Sequence, residues 1–332
     1  MNKTVFAAWF FFAGILIAQP APSGDVVGVG NFTHLVADLD RSIEFYRDRI
    51  GLELLGPQGK RPFAAVPAIQ KATNAPGAQV RLAIFKIPGA EIGVEAAEFQ
   101  DIERHPVQPR FQDPGSANLI LLVRDVEALL ATLKKAGVPV VTTGGEPVPV
   151  RGKTRAVILK DPDGYFVELM QLDPLPETTA PPSSNIIGAR FGMTVEDTET
   201  TLKFYHDLFG FDARPGPPFN DNKTIMSLAG TPGAQYRRST ATIPGTSVQV
   251  EFIEFHDIER KTYSSGVQDP GTASWQLRVR DMDAMVERMK GAGNIVISAG
   301  AEAQNVAPTL SIFFVRDPNN IVVELLYTRK AP

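Results

Sequence analysis

The sequence predicts an α+β protein built from four similar strand–helix–strand units, arranged as two tandem copies of one larger unit. Three observations carry that expectation. The chain has 332 residues, which at roughly 150 per domain suits two domains. A self-similarity runs through it at one spacing, and short strand and helix patterns alternate within each copy. The composition, 43% hydrophobic and 21% charged, supplies enough apolar side chains for two cores. Its 33 basic and 37 acidic residues leave a formal charge of −4, which argues against nucleic acid and for a small-molecule partner. There is no cysteine, so disulfides, thiolate nucleophiles and Cys-ligated metal centres are excluded.

At the start, Lys3 precedes an apolar run of 14 residues, Val5 to Ala18, that ends before Gln19-Pro20. The run is short for a membrane span of about 20 residues. Its layout is that of a secretory signal cleaved after Ala18, with an uncleaved anchor as the alternative. Residues 1–25 are therefore expected to be a signal peptide and flexible leader, and the mature protein to be periplasmic or secreted with no stable membrane span.

The first domain is placed at 26–173. Asn31 to Ala37 is strand-like, and Asp38 opens a helix that runs through Tyr46, its carboxylate able to accept free amide N–H groups. Arg81 to Ile87 and Ile92 to Phe99 read as strands joined at Pro88-Gly89. A second round follows: strand Asn118 to Val123, helix Val126 to Ala136 closed by Gly137, strand Arg155 to Leu159, the turn Asp161-Pro162-Asp163-Gly164, and strand Tyr165 to Leu172.

These features then repeat. Pro76-Gly77-Ala78-Gln79 recurs 156 residues on as Pro232-Gly233-Ala234-Gln235, and Asp101-Ile102-Glu103-Arg104 as Asp257-Ile258-Glu259-Arg260. The same spacing relates Gln112-Asp113-Pro114-Gly115 to Gln268-Asp269-Pro270-Gly271, and Val167-Glu168-Leu169 to Val323-Glu324-Leu325. Between the copies, residues 174–185 form a Pro/Ser/Thr-rich linker, and the second domain is placed at 186–328.

The stretches Val36-Ala37-Asp38-Leu39-Asp40-Arg41-Ser42-Ile43-Glu44-Phe45-Tyr46, Gly51-Leu52, Val123-Arg124-Asp125-Val126-Glu127-Ala128 and Asp161-Pro162-Asp163-Gly164-Tyr165-Phe166-Val167-Glu168-Leu169 resemble the vicinal oxygen chelate superfamily. That superfamily includes glyoxalase I, bleomycin-resistance proteins and extradiol dioxygenases. The resemblance covers nearly all of both domains. It implies paired βαβββ modules, four in all, whose sheets curl into cups holding a metal and a small ligand.

The resemblance also implies where ligands would stand. First-strand positions, seven residues before each helix-opening Asp, are Asn31, Asn118, Arg190 and Ser274. None is histidine, which disfavours an iron-dependent dioxygenase. Last-strand positions are all carboxylates, Glu95, Glu168, Glu251 and Glu324. Strand alternation places Arg190, Gly192 and Thr194 on one face, and Ser274, Gln276 and Arg278 likewise.

From these positions Glu95 and Glu168 are expected to face one another in the first cup as the catalytic pair, with Asn31 and Asn118 beside them. That set of oxygens suits a weakly bound hard ion, Mn²⁺, Mg²⁺ or Ca²⁺, and equally a metal-free cluster in which the amides bond the carboxylates and one Glu keeps its proton. The second cup is expected to be a ligand-binding, ion-paired site of Arg190, Glu251, Ser274, Gln276, Arg278 and Glu324, its guanidinium groups disfavouring a metal. His34 is expected in the helix-packing core. His206 reads as surface, and His105 and His256 as loop residues away from the carboxylates.

Two functional readings follow. One is an exported glyoxalase-like enzyme that abstracts a proton next to a carbonyl with metal or carboxylate assistance. The other is a non-catalytic small-molecule-binding protein of the bleomycin-resistance kind. A third arrangement, in which the second domain completes the first domain's cup, also suits the duplication, as a monomeric pseudo-dimer or a homodimer.

Overall fold

The computed structural model describes residues 25–293 and 296–329, so the expected signal segment lies outside the described residues. Among them, no helix is long and apolar enough to cross a membrane.

The chain forms four βαβββ modules. The first comprises β1 (Val26–Leu35), α1 (Leu39–Ile43) with a π-helical continuation over Glu44–Ile50, then β2 (Glu53–Leu55), α2 (Pro67–Ala72), β3 (Gln79–Lys86) and β4 (Gly93–Gln100). The second comprises β5 (Ala117–Val123), α3 (Val126–Lys135), β6 (Val148–Arg151), β7 (Thr154–Lys160) and β8 (Phe166–Gln171). The third repeats the first: β9 (Ile186–Thr194), α4 (Thr198–Phe209), β10 (Asp212–Arg214), α5 (Lys223–Ala229), β11 (Gln235–Thr242) and β12 (Gln249–His256). The fourth repeats the second: β13 (Ala273–Val279), α6 (Met282–Gly291), β14 (Gln304–Ala307), β15 (Leu310–Arg316) and β16 (Val322–Thr328).

Each module's main helix starts at an aspartate whose carboxylate accepts main-chain N–H groups of the first turn. Asp38 takes those of Asp40 and Arg41, Asp125 that of Ala128, Asp197 that of Thr200 and Asp281 that of Ala284. The helices then bury one stripe; in α3 it is Val126, Leu129, Leu130 and Leu133, the spacing of a single face.

The modules do not pair within each half. One eight-stranded sheet has the order β14-β15-β16-β13-β1-β4-β3-β2, and the other β10-β11-β12-β9-β5-β8-β7-β6. The first module thus shares a sheet with the fourth through antiparallel β1 and β13, and the second with the third through β5 and β9. The expected cup formed by modules one and two is therefore wrong, and the arrangement in which the second half completes the first is the one observed. Two features account for it. Modules of one half are bonded back to back: Tyr46 Oη donates to Asp161 Oδ2 at 2.9 Å and lies 2.8 Å from His34 Nδ1, and Tyr205 Oη donates to Asp317 Oδ2 at 3.0 Å. Their concave faces then point away from each other, leaving β1 and β5 to find partners elsewhere. The chain also leaves β8, which lies parallel beside β5, and returns as β9 on the other side of β5, so the linker need cross only one strand.

The main core lies between the sheets and the helices. Its centre is aromatic, with Phe32 and Phe191 at 4.4 Å between ring centroids and Phe191 stacked on Trp275 at 5.2 Å. His34 is buried there, as its strand parity predicts. Two short helices absent from the sequence reading, α2 and α5, sit over the concave faces instead. Ala72 of α2 packs with Ile312, Phe314, Val322 and Leu326, and Met226, Leu228 and Ala229 of α5 pack with Ile158 and Phe166.

Candidate functional sites

Each cup gathers two of the four last-strand glutamates. In the cup of the first sheet these are Glu95 on β4 and Glu324 on β16, in the other Glu168 on β8 and Glu251 on β12. Glu95 and Glu168 therefore do not face one another, and the set Asn31, Glu95, Asn118 and Glu168 is not one metal site. Asn31 stands with Glu95, and Asn118 with Glu168, in separate cups because the modules pair across the halves.

In the first cup the linking group is Gln276. Its Nε2 donates to Glu324 Oε2 at 2.9 Å and to Glu95 Oε2 at 3.3 Å, while its Oε1 accepts the Asn31 main-chain N–H at 2.7 Å. The Asn31 side chain also bonds Glu95. Gly30 makes room for this bridge, since a Cβ there would lie 2.6 Å from Gln276 Oε1. Burial pushes the Glu95 carboxyl up, against the two amide bonds that pull it down. Burial first, and then the neighbouring Glu95 charge, push Glu324 up as well. The pair consequently holds a proton at neutral pH.

Ser274, in the first-strand position, does not reach the carboxylates; it is buried with its hydroxyl unpartnered. Arg278 does not pair with Glu324 as expected. Its Nε donates to the Val29 carbonyl at 3.1 Å, and the residue is exposed two positions along β13 from Gln276.

In the second cup Asn118 Nδ2 donates to Glu168 Oε2 at 3.0 Å. Arg190 Nη1 lies 3.7 Å from Glu251 Oε1, the ion pair that strand parity predicts. Arg238 of β11, which sequence reasoning missed, donates from Nη1 to Glu251 Oε2 at 3.2 Å. Burial, then the Glu251 charge, raise Glu168 to about 8, opposed by Arg238 and Arg190. A signal for Arg238 was present: the position 156 residues earlier is Leu82, so a cation replaces an apolar residue on the same face of the copy. Likewise Gln276 answers to Ile120. Both bridging nitrogens belong to the second half.

The two cups differ as metal hosts. The first offers two facing carboxylates and two amides, with no cationic side chain bonded to either carboxylate among the described residues. Those donors suit a hard divalent ion. The second has guanidinium groups on both oxygens of Glu251 and does not fit one. None of the four histidines bonds a cup carboxylate among the described residues; His105 pairs with Glu103, His206 with Asp207 and His256 with Glu254.

The family model of the Glyoxalase/Bleomycin resistance protein/Dioxygenase superfamily matches residues 28–169 and 189–325. The chain belongs to this superfamily. A probable chloroplastic lactoylglutathione lyase of Arabidopsis thaliana is 28% identical over 195 residues, 58% of this chain and 47% of that protein. A probable lactoylglutathione lyase of Vibrio cholerae is 32% identical over 138 residues, 41% of this chain and 84% of the relative. The chain spans about half the length of the Arabidopsis relatives it matches. Glyoxalase I of Zea mays superposes with a TM-score of 0.57 at 20% identity, covering 91% of this chain and 92% of the maize chain, which establishes a shared fold. This superfamily member is thus glyoxalase-like in sequence and architecture.

Proposed function

We propose that this protein transfers a proton at a carbon next to a carbonyl group of a small molecule held in the first cup, as a glyoxalase-like enzyme. The observation that carries the reading is the Glu95–Gln276–Glu324 cluster, two carboxyls joined through one amide, where burial raises both and favours a retained proton. A carboxylate beside a protonated partner can take a proton from one carbon and return it elsewhere, which is general acid–base work. Glu95 is the more open of the two and is the base; Glu324, buried, holds the proton. Gln276 and Asn31 fix the Glu95 carboxylate by hydrogen bonds, and Arg278, exposed on the same strand face, binds an anionic end of the ligand. α2 over the concave face keeps water from the pair. A divalent ion, when bound, would be held by Asn31, Glu95, Gln276 and Glu324 and would supply Lewis acidity to the carbonyl oxygen.

The relatives named lactoylglutathione lyase support lactoylglutathione as the first compound to try. The test is formation of lactoylglutathione from methylglyoxal and glutathione, with and without added Mn²⁺. Turnover that falls by about 10²-fold or more in Glu95→Gln and Glu324→Gln supports the reading. Tight binding without turnover, in either metal state, transfers the protein to the sequestering role. We also propose, from Lys3 and the apolar run Val5 to Ala18, that the protein works outside the cytoplasm. N-terminal sequencing of exported material beginning after Ala18 would support that, and recovery of Met1 would end it.

A further inference from the structure

We infer that the second cup carries its own fixed cation, the Arg238 guanidinium seated against Glu251 and facing Glu168, and that this cup takes no metal ion. The inference is independent of the activity proposed for the first cup.

The two cups are built on the same strand positions, so what stands between each carboxylate pair can be compared directly. In the first it is a neutral amide, Gln276, which a cation can displace or join. In the second, guanidinium groups stand on Glu251, and an entering cation would have to displace both Arg238 and Arg190. Arg238 lies 3.2 Å from one Glu251 oxygen and Arg190 lies 3.7 Å from the other, so each oxygen already faces a cation. Glu168 is satisfied separately by Asn118. A divalent ion entering here would meet two positive side chains within contact range, and that repulsion outweighs what one free carboxylate offers. The Glu251 charge, foremost, keeps Arg238 charged.

Space agrees with charge. The chamber enclosed by Glu168, Arg238, Glu251, Tyr236, Phe111 and Phe255 measures about 30 Å³. It has room for one water-sized oxygen ligand beside the guanidinium and none for an ion with its coordinated waters. Arg238 is about half exposed, so it can meet a single oxygen, from water or from a carbonyl or carboxylate ligand, without leaving Glu251.

The difference lies at two positions. Leu82 faces the first cup where Arg238 faces the second, 156 residues apart in the repeat, and Asn31 holds the first-strand position that Arg190 holds in the second cup. Removing both guanidinium groups should therefore convert the second cup into a cation site. The experiment is Mn²⁺ titration of the whole chain followed by electron paramagnetic resonance, which counts bound ions. The expected result is that the double variant Arg190→Asn with Arg238→Leu, the residue types of the first copy, binds one more Mn²⁺ per chain than the parent, that Glu251→Gln in the same background removes that ion, and that Arg238→Lys gains none. Arg190→Gln with Arg238→Met is the second double variant should the first impair folding. A parent protein whose Mn²⁺ is lost on Glu251→Gln would overturn the inference, as would a folded double variant that gains no ion.

Discussion

Glu168 is a buried carboxyl with Asn118 on one oxygen and the Glu251 charge nearby, and it titrates at about 8. In the unfolded chain the same group titrates near 4.3. Between those values the folded protein binds the additional proton, so folding stability must decline as pH rises from about 4.5 to 8 and then level off. Glu324 is shifted in the same direction and adds to the slope. Thermal unfolding midpoints measured from pH 5 to pH 8.5 should fall, and Glu168→Gln should flatten part of the decline; an unchanged slope in that variant would place Glu168 in contact with water. A second single-residue test is geometric. A Cβ on Gly192 would lie 2.2 Å from Asn118 Oδ1, so Gly192→Ala must displace the amide that bonds Glu168. Denaturant unfolding should report a loss of about 1–3 kcal/mol, together with a change in the Glu168 titration. At this scale the four glutamates were legible through the resemblance, which marks the last strand of each module, and the structure places them on the cup faces. It did not disclose which nitrogen bridges them. Parity says which face Ser274, Gln276 and Arg278 share, but the choice of Gln276 depends on the irregular register between Val29 and Phe32, which shifts β1 against β13.

Helices α1, α3, α4 and α6 were legible from aspartate caps and spaced apolar residues, and most long strands from their bounding turns. Helices α2 and α5 were not, being only 6 and 7 residues long and lying between strands in proline-bearing loops. Their role is tertiary. A hydroxyl from the partner module latches each to the cup it covers: Thr142 Oγ1 donates to the Leu228 carbonyl at 3.0 Å and accepts the Ile158 N–H at 2.8 Å, and in α5 the Thr143 N–H adds a bond to the Ser227 carbonyl at 2.9 Å. Ser298 Oγ does the same for the Ala72 carbonyl at 3.0 Å and the Phe314 N–H at 2.9 Å. Thr142→Val removes both bonds and leaves a buried N–H and C=O unpaired, a cost of about 1–3 kcal/mol. Hydrogen exchange should then show faster opening of residues 223–229 than of residues 67–72, and Ser298→Ala should reverse the order. Equal protection of both helices in both variants would mean that these hydroxyls do not hold them.

The pairing of modules across the halves could not be read from the repeat, because a spacing of 156 residues is preserved whichever module shares a sheet with which. What decides it is the back-to-back contact within each half and the short return path from β8 to β9, both of them properties of the packed chain. This arrangement has a consequence that separates it from two self-contained domains. Six residue pairs join β1 to β13 and seven join β5 to β9, and the aromatic contact of Phe32 with Phe191 also crosses between halves. Cutting the chain within residues 174–185 removes no strand and no cup residue. A protease site introduced there and cleaved to completion should leave the two fragments as a one-to-one complex on gel filtration, since each sheet and each cup still needs both. Their unfolding midpoint should become dependent on protein concentration, because the joined strands are now two molecules whose association is linked to folding. Residues 26–173 produced alone would expose the β1 and β5 edges, which in this geometry can satisfy one another only in a second copy, so the fragment should be a homodimer. Fragments that elute separately as folded monomers at micromolar concentration would contradict the crossed pairing and return each cup to a single half.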